Sequence, residues 1–300
     1  MRIIFMGTPD FAVPSLEILH QNGHEIAAVI TATDKYGGRN GKKLIESAVK
    51  KYAQAHDIPV LQPKNLKDPA FIADLRKLKA DLQVVVAFRM LPEAVWDMPQ
   101  YGTLNLHGSL LPKYRGAAPI NWAIINGEKE SGVTTFKLKH AIDTGDMYFQ
   151  AKVIIDENMT AGELHDQLMP IGAKLVLQTV KAIEAGDIKA QEQSGEPTHA
   201  PKLFHQTCKI DIDTLSEKAH NFIRGLSPYP TAWTTYEDKK LKIFLAEKEL
   251  VKHNEIPGTF HTDRKSFFKV ATQDGYINLL EVQIQGRKRM KIKDFLNGLK

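Results

Sequence analysis

The sequence predicts an α/β domain with a mostly parallel sheet, followed by a small β-barrel or sandwich. In roughly the first 185 residues, short apolar runs alternate with helical patterns, which is typical of βαβ units and a parallel sheet. In the last third, short alternating runs are separated by turn residues, which is typical of a small β-rich domain. The chain has 300 residues, about the length of two domains.

The predicted α/β part of the chain begins with a strand over residues 2–6, because the apolar run RIIFM stops at Gly7. A helix is predicted from Pro14 to Gln21, with proline at its start, and residues 25–31 form the next strand. The other predicted strands cover residues 82–88, 103–106, 133–138 and 147–154. The other predicted helices cover Lys42–His56, Pro69–Lys79, Ala118–Asn126 and Thr160–Ala185.

The last third of the chain begins after a polar segment, residues 186–206, that contains Gly195, Pro197 and Pro201 and therefore favours a linker. A helix follows over Thr214–Arg224. The predicted strands after it cover residues 232–236, 241–246, 259–260, 267–271 and 277–282. We thus predict an α/β domain over residues 1–187, a linker over residues 188–206 and a β-rich domain over residues 207–300.

Composition excludes several classes of protein. The chain is 43% hydrophobic and 25% charged, which disfavours intrinsic disorder and coiled coil. Its apolar runs are shorter than the ~20 residues of a membrane span, and the N-terminal run does not resemble a signal peptide. One cysteine, Cys208, cannot form an internal disulfide, which indicates a reducing compartment. We expect a soluble, cytoplasmic monomer that does not bind membranes.

The basic residues are unevenly distributed. The net charge is +5, and the last hundred residues hold 18 basic and 12 acidic side chains, which suggests an anionic partner. Five cations lie within seven residues near the C-terminus and form either a solvated face or a phosphate-binding surface: Arg287, Lys288, Arg289, Lys291 and Lys293. The segment Lys35–Lys43, with four cations and three glycines, is either a flexible surface loop or a second such surface.

Several familiar sites are absent from the sequence. The first strand ends in G-T-P instead of G-x-G-x-x-G, and Pro9 lacks a backbone donor, so a Rossmann-like sheet here would not bind a dinucleotide. The chain has no H-E-x-x-H motif, no cysteine pair for zinc and no G-x-S-x-G elbow. Ser109 follows His107 too closely on an extended segment to suit nucleophilic attack. These absences argue against a metal site and a serine nucleophile.

The densest polar motif lies in residues 102–121. Asn105 and His107 are two residues apart, so a strand places both side chains on one face. An amide can donate to an oxyanion and an imidazole can move protons, which suits acyl chemistry. The alternative is a structural pair. Asp143, in H-A-I-D-T-G-D, is either a carboxylate that orients the imidazole or an Asx-turn residue ahead of Gly145.

A family resemblance extends over nearly the whole chain. The matching segments are IIFMGTPDFAVPSLE, GKKL, VVVAFRMLPEAVWDMP, LNLHGSLLPKYRGAAPINWAI, GVTTFKLKHAIDTGDM, IRGLSPYPTAW and GRKRM. The combination of N-x-H-x-S-L-L-P with D-T-G-D resembles the folate-dependent formyltransferases. The N-terminal G-T-P-x-F-x-V-P and the C-terminal extension resemble the methionyl-tRNA formyltransferase family within them.

The resemblance implies a Rossmann-like formyltransferase domain with an OB-like C-terminal domain that binds tRNA. It implies that Asn105, His107 and Asp143 are catalytic. The folate-binding residues it implies are Ser109, Leu110, Leu111, Pro112, Phe88, Arg89, Met90 and Asp143. The tRNA-binding residues it implies are Arg39, Lys42, Lys43, Arg287, Lys288 and Arg289. The chain departs from the family at Asn40, where an arginine usually precedes GKKL.

The activity implied is formyl transfer from 10-formyltetrahydrofolate, as co-substrate, to the α-amine of initiator Met-tRNA, through a tetrahedral intermediate. The product would be N-formylmethionyl-tRNA for translation initiation. Asn105 would donate to the oxyanion, His107 would assist there or take the amine proton, and Asp143 would hold His107. The alternatives are a formyltransferase acting on a sugar nucleotide or glycinamide ribonucleotide, and a non-catalytic RNA-binding protein.

Overall fold

The computed structural model describes residues 1–37 and 41–298, which fall into two compact units. The first unit comprises residues 1–115, 132–153 and 166–198. The second comprises residues 116–131, 154–165 and 199–298. The domain boundaries at 187 and 206 remain a prediction. Within the described ranges, no helix combines the length and apolar character needed to cross a bilayer.

The helices are α1 (Val13–Gln21), α2 (Ala48–Ala55), α3 (Pro69–Lys77), α4 (Glu93–Trp96), α5 (Pro119–Ile125), α6 (Ala161–Ala185), α7 (Ser216–Gly225) and α8 (Ile292–Asn297). The strands up to the end of α6 are β1 (Arg2–Gly7), β2 (Glu25–Ile30), β3 (Lys35–Gly37), β4 (Lys43–Ile45), β5 (Val60–Leu61), β6 (Leu82–Val86), β7 (Thr103–His107), β8 (Arg115–Gly116), β9 (Glu130–Lys137) and β10 (Met147–Ile154). The later strands are β11 (His199–Ala200), β12 (Ala232–Tyr236), β13 (Lys239–Leu250), β14 (Phe260–Thr262), β15 (Phe268–Ala271), β16 (Gly275–Ile284) and β17 (Met290–Lys291).

The first unit is built on a seven-stranded sheet in the order β10-β9-β7-β6-β1-β2-β5. Strand β1 pairs in parallel with β2 and β6, and β6 pairs in parallel with β7. Strand β9 joins β7 antiparallel. Every residue of β6 is buried, as in a strand covered on both faces. The prediction of an α/β fold with a mostly parallel sheet is confirmed.

The predicted helix over Lys42–His56 is wrong in its first part. Residues Lys43–Ile45 form β4, which pairs antiparallel with β3, and helix α2 begins only at Ala48. Ser47 has an extended backbone, and its hydroxyl accepts a hydrogen bond from the Lys50 backbone amide. This N-cap places the start of the helix after residue 47.

The carboxyl ends of three neighbouring parallel strands meet at one edge of the sheet, which positions the loops that follow them. These strands are β1, β6 and β7, ending at Gly7, Val86 and His107. A Cβ atom on Gly7 would lie 2.7 Å from the Ala12 side chain and 3.0 Å from the Val86 carbonyl oxygen. Glycine therefore allows the chain to turn closely against the neighbouring strand here.

The second unit contains a curled antiparallel sheet in the order β12-β13-β16-β15-β14, with β17 paired to β16. Register shifts in β13 between Ile243 and Ala246 mark irregular pairing of the kind that bends a strand. The inward residues form a buried core that includes Leu241, Ile243 and Phe268. The prediction of a small β-rich C-terminal domain is confirmed.

Arg224 of α7 is 3% exposed and is a structural residue of the second unit. Its Nε donates to the Asn221 side chain at 2.8 Å, and its Nη1 donates to the Met159 carbonyl oxygen at 2.9 Å. Burial lowers the pKa of this guanidinium from its ordinary value. Arg224 therefore holds the residues before α6 against α7 and is not part of a surface that could bind a ligand.

His220 of α7 is expected to make the stability of the second unit depend on pH. It is 2% exposed, and burial, Arg224 and Lys248 lower its pKa below the ordinary 6.5, with Glu217 acting in the opposite direction. The unfolded chain therefore binds this proton more readily than the folded chain. The contribution of His220 to the free energy of unfolding is fully present above pH 6.5, and it is lost as the pH falls from 6.5 towards the lowered pKa of the folded state.

The measurement is the free energy of unfolding in urea at pH 7.5 and pH 5.5. We expect the loss between these values to be smaller in His220→Gln than in the wild type. His56→Gln, at an exposed histidine, is the control and should keep the wild-type loss. An equal loss in wild type and His220→Gln would contradict the prediction.

Candidate functional site

The candidate site is centred on the end of β7, in the middle of the sheet. His107 is the last residue of this strand and is 7% exposed. Asn105 lies two residues earlier, so both side chains project from the same face of β7. Asn105 is flanked by Val85 of β6 and Phe136 of β9. The sheet thus provides a rigid base for an amide and an imidazole.

The two nitrogens of the His107 ring have different partners. Nε2 lies 2.8 Å from the Tyr114 carbonyl oxygen. A carbonyl oxygen only accepts hydrogen bonds, so Nε2 carries a proton and donates it. Nδ1 lies 3.7 Å from Oδ2 of Asp143. Nδ1 is therefore the ring atom that is left to accept a proton, and it faces a carboxylate.

The loop between β9 and β10, residues 138–146, brings Asp143 to the imidazole. Asp143 has a φ of 54°, a left-handed conformation that aspartate tolerates better than most residues. A Cβ atom on Gly145 would lie 1.6 Å from the Lys137 carbonyl oxygen. The backbone amide of Lys137 donates to the Asp146 carbonyl oxygen at 3.0 Å. The loop thus folds tightly against the end of β9.

The predicted folate residues after β7 form a tight, hydrogen-bonded turn. Ser109 is buried, and its hydroxyl donates to the Lys113 carbonyl oxygen at 2.6 Å. Thr134 Oγ1 donates to the Ser109 carbonyl oxygen and accepts from the Leu111 amide. Leu110 and Pro112 are half-buried, and Leu111 is buried. Because the Ser109 proton is directed at a carbonyl, this hydroxyl shapes the turn and is not placed as a nucleophile.

The predicted folate residues after β6 differ in their surroundings. Phe88 packs against a buried core, whereas Met90 is 73% exposed. The guanidinium of Arg89 donates to the carbonyl oxygens of Lys64 and Pro63. Arg89 therefore ties the loop after β6 to the segment after β5. A role for these three residues in folate binding stays a prediction.

The predicted tRNA-binding residues are only partly described. Arg39 lies outside the described residues, and Lys42 and Lys43 are exposed beside and within β4. Near the C-terminus, Arg287 and Lys288 are exposed.

Arg289 is paired in the structure. It forms two hydrogen bonds to the Glu281 carboxylate, at 2.8 and 2.6 Å, and lies 4.3 Å over the Phe244 ring. This pair lowers the pKa of Glu281. The carboxylate offsets the charge of Arg289, so Arg287 and Lys288 contribute most of the positive charge in residues 287–289.

The structure adds residues to the site that sequence reasoning missed. Tyr114 supplies the carbonyl oxygen for His107, and Thr134 and Gln150 bond the turn at Leu111. Gln193 donates to the carbonyl oxygens of Asp143 and Gly145. A buried imidazole is expected to have a hydrogen-bond partner. Because that partner is a backbone carbonyl oxygen, which every residue has, the sequence does not show which residue provides it. Gln193 lies in a polar segment that has no recognisable motif.

The chemistry available at this site is acyl transfer coupled to proton movement. Asn105 can donate to an oxygen that gains negative charge, and His107 can exchange a proton beside Asp143. Among the described residues, no group of three or more histidine, cysteine, aspartate and glutamate side chains could hold a metal ion.

Comparisons with known proteins agree with this chemistry. Residues 1–180 match the family model described as formyl transferase, and residues 202–300 match formyl transferase, C-terminal domain. The chain is 52% identical over 311 residues to a methionyl-tRNA formyltransferase of Parabacteroides distasonis, covering 100% of this chain and 96% of that protein. It is 50% identical over 308 residues to the protein of that name in Bacteroides fragilis, covering 99% and 95%.

A solved structure shares the fold. WlaRD, a sugar 3N-formyl transferase solved in the presence of dTDP and 5-N-formyl-THF, superposes with a TM-score of 0.71 at 22% identity, covering 96% of this chain and 99% of that chain. At this identity the likeness shows the fold alone, whereas the identities near 50% over whole chains show the family. This chain belongs to the methionyl-tRNA formyltransferase family.

Proposed function

We propose that this protein transfers the formyl group of 10-formyltetrahydrofolate to the α-amine of initiator Met-tRNA and releases N-formylmethionyl-tRNA. The observation that carries the proposal is the His107–Asp143 pair at the end of β7, in a chain 52% identical to a methionyl-tRNA formyltransferase. The alternative acceptors, sugar nucleotides and glycinamide ribonucleotide, have no such support. A non-catalytic RNA-binding protein would not need this pair.

The proposed reaction requires a group that can carry a proton. The amine forms a bond to the formyl carbon, and the bond between that carbon and the folate nitrogen breaks. Overall, the amine loses a proton and the folate nitrogen gains one. Nδ1 of His107 can take the first proton while Asp143 stabilises the charged ring. Asn105, on the same face of β7, would donate to the oxyanion of the tetrahedral intermediate.

We assign folate binding to the turns after β6 and β7. Phe88, Arg89 and Met90 follow β6, and Ser109–Pro112 follow β7, so both groups lie at the carboxyl edge where ligands of such sheets bind. WlaRD, which shares this fold, was solved in the presence of 5-N-formyl-THF. Asp143 would then face both His107 and the folate.

We assign tRNA binding to two cationic segments, and the C-terminal one gives a testable prediction. Arg287→Ala/Lys288→Ala should weaken binding of initiator tRNA and reduce the slope of log K against log salt by up to about 2, because each cation that meets a phosphate contributes about 0.9. Lys252→Ala/Lys265→Ala, at exposed lysines of the same unit, is the matched control. Equal slopes in the two double variants would contradict the assignment. Arg39, Lys42 and Lys43 would form the second tRNA contact.

The test of the proposed function is a direct formyl-transfer assay. The protein is incubated with 10-formyltetrahydrofolate and, in separate reactions, initiator Met-tRNA, free methionine and an amino sugar nucleotide. We expect formyl-methionine on the tRNA and much slower transfer to the other acceptors. Equal rates on Met-tRNA and free methionine, or faster transfer to the sugar nucleotide, would overturn the proposal. We further propose that the protein acts in the cytoplasm, since its one cysteine is free and buried, as in proteins of a reducing compartment. We also propose that it acts as a monomer.

A further inference from the structure

The polar segment between α6 and β11 belongs to the first unit and is bound to the rest of it through its backbone. Gln191 and Met147 exchange two backbone hydrogen bonds, of 2.7 and 2.8 Å. Thr198 lies seven residues later and is bonded to Tyr114 and Arg115. We call residues 191–198 the strap. The strap therefore has a defined position over the loops that surround His107.

One part of the strap holds the loop that carries Asp143. Nε2 of Gln193 donates to the carbonyl oxygens of Asp143 and Gly145, both at 2.8 Å. Oε1 of the same amide accepts from Nε and Nη2 of Arg115, at 3.1 and 2.6 Å. Carbonyls only accept and a guanidinium only donates, so one orientation of the amide satisfies all four hydrogen bonds.

The other end of the strap holds the residue that bonds His107. The hydroxyl of Thr198 accepts from the Tyr114 amide at 2.8 Å, and the Thr198 carbonyl oxygen accepts from the Arg115 amide at 2.9 Å. The Tyr114 carbonyl oxygen is the acceptor for Nε2 of His107. Both groups that flank the imidazole are thus connected to the same strap.

We propose that Gln193 is a positioning residue for the transfer reaction, holding the Asp143 carboxylate beside Nδ1 of His107. The proposal rests on the proposed function. Asp143 has a left-handed backbone, a conformation that persists only where the surrounding structure holds it. Two of the hydrogen bonds that hold it come from Gln193. Without them the loop can relax away from the imidazole.

The first experiment compares two substitutions of Gln193. Gln193→Ala removes all four hydrogen bonds, whereas Gln193→Glu keeps an acceptor for Arg115 but loses the donors to the Asp143 loop. Both should lower kcat about 10- to 100-fold with KM for Met-tRNA unchanged, because a displacement of about 1 Å at a reacting group can cost about 100-fold in rate. Gln191→Ala is the matched control, since its bonds to Met147 are made by the backbone and its side chain is exposed. Wild-type kcat in Gln193→Glu would overturn the proposal.

The second experiment is a double-mutant cycle with Asp143→Asn. Asparagine tolerates the left-handed backbone but carries no charge, so the position of this side chain relative to His107 should have little effect on kcat. If Gln193 acts through Asp143, Gln193→Ala in this background should change kcat less than about 2-fold. Independent, multiplying losses would show that Gln193 affects the protein in another way and would overturn the proposal.

A third measurement does not depend on activity. Hydrogen–deuterium exchange in peptides covering residues 139–146 should be faster in Gln193→Ala than in wild type and Gln191→Ala. Unchanged exchange there would overturn the proposal. If the wild type fails to formylate Met-tRNA, the proposed function fails, while the exchange result still shows whether Gln193 holds the loop.

Discussion

His107→Ala is expected to lower kcat for formyl transfer by about 10²- to 10⁴-fold, the range typical for removal of a positioned proton-transfer group. The loss arises because Nδ1 is the ring atom beside Asp143 that can take the amine proton. The affinity for initiator tRNA should change little, because phosphate contacts by lysine and arginine dominate such binding. The measurement is kcat by single-turnover formylation, with tRNA affinity by filter binding.

The controls for this substitution separate catalysis from folding. Alanine leaves the Tyr114 carbonyl oxygen without the ring N–H, so some loss of stability is expected. Comparison of thermal unfolding with His107→Gln, a second variant that lacks the imidazole, accounts for that loss. His56→Ala, at an exposed histidine of the same unit, should keep wild-type kcat. Wild-type kcat in a folded His107→Ala would refute a catalytic role.

Gly145→Ala is expected to reduce both stability and activity. The added Cβ would lie 1.6 Å from the Lys137 carbonyl oxygen and 3.0 Å from the Phe136 ring, so the backbone of the loop must move. Overpacking of this kind costs about 1–3 kcal/mol. Because Asp143 lies two residues away, the carboxylate moves with the loop, and kcat should fall by about 100-fold.

The matched control for Gly145→Ala is Gly37→Ala in β3. There the nearest atom to the added Cβ is the terminal methyl of Ile45, which can rotate away. We expect a smaller change in the melting temperature for this control. A Gly145→Ala protein with wild-type melting temperature and wild-type kcat would contradict the close packing of the loop.

Much of the fold could be predicted because its signals are local. Strand β1 is a continuous apolar run after Arg2, β6 is apolar except for Gln83, and β12 alternates as an antiparallel strand does. The start of α2 could not be predicted from apolar spacing alone. The helix starts after Ser47 because the Ser47 hydroxyl caps it. The residues just before it, Lys43–Ile45, form β4, which pairs with β3.

The candidate site divides in the same way. Asn105 and His107 share a face because a strand repeats every two residues, which the sequence shows directly. From the residues alone, Asp143 could equally have been an Asx-turn residue. Its distance of 3.7 Å from Nδ1 depends on the loop that closes against Lys137, and no local pattern reports that.

Hydrogen bonds to backbone carbonyls and the ion pair of Arg289 could be identified only from the folded structure. Residues 287–289 form an unbroken basic run in the sequence, yet in the structure Arg289 is paired with Glu281 of β16. The strap reads as a flexible linker, yet Gln193 bonds two carbonyls some fifty residues earlier in the chain.

Sequence was therefore sufficient for the fold class and the family, because apolar periodicity and contiguous motifs depend on neighbours along the chain. The different partners of the two His107 ring nitrogens, the pairing of Arg289 and the hydrogen bonds of Gln193 became visible only in the folded protein. These depend on distances between atoms far apart in sequence, and backbone atoms, which every residue shares, make several of the contacts.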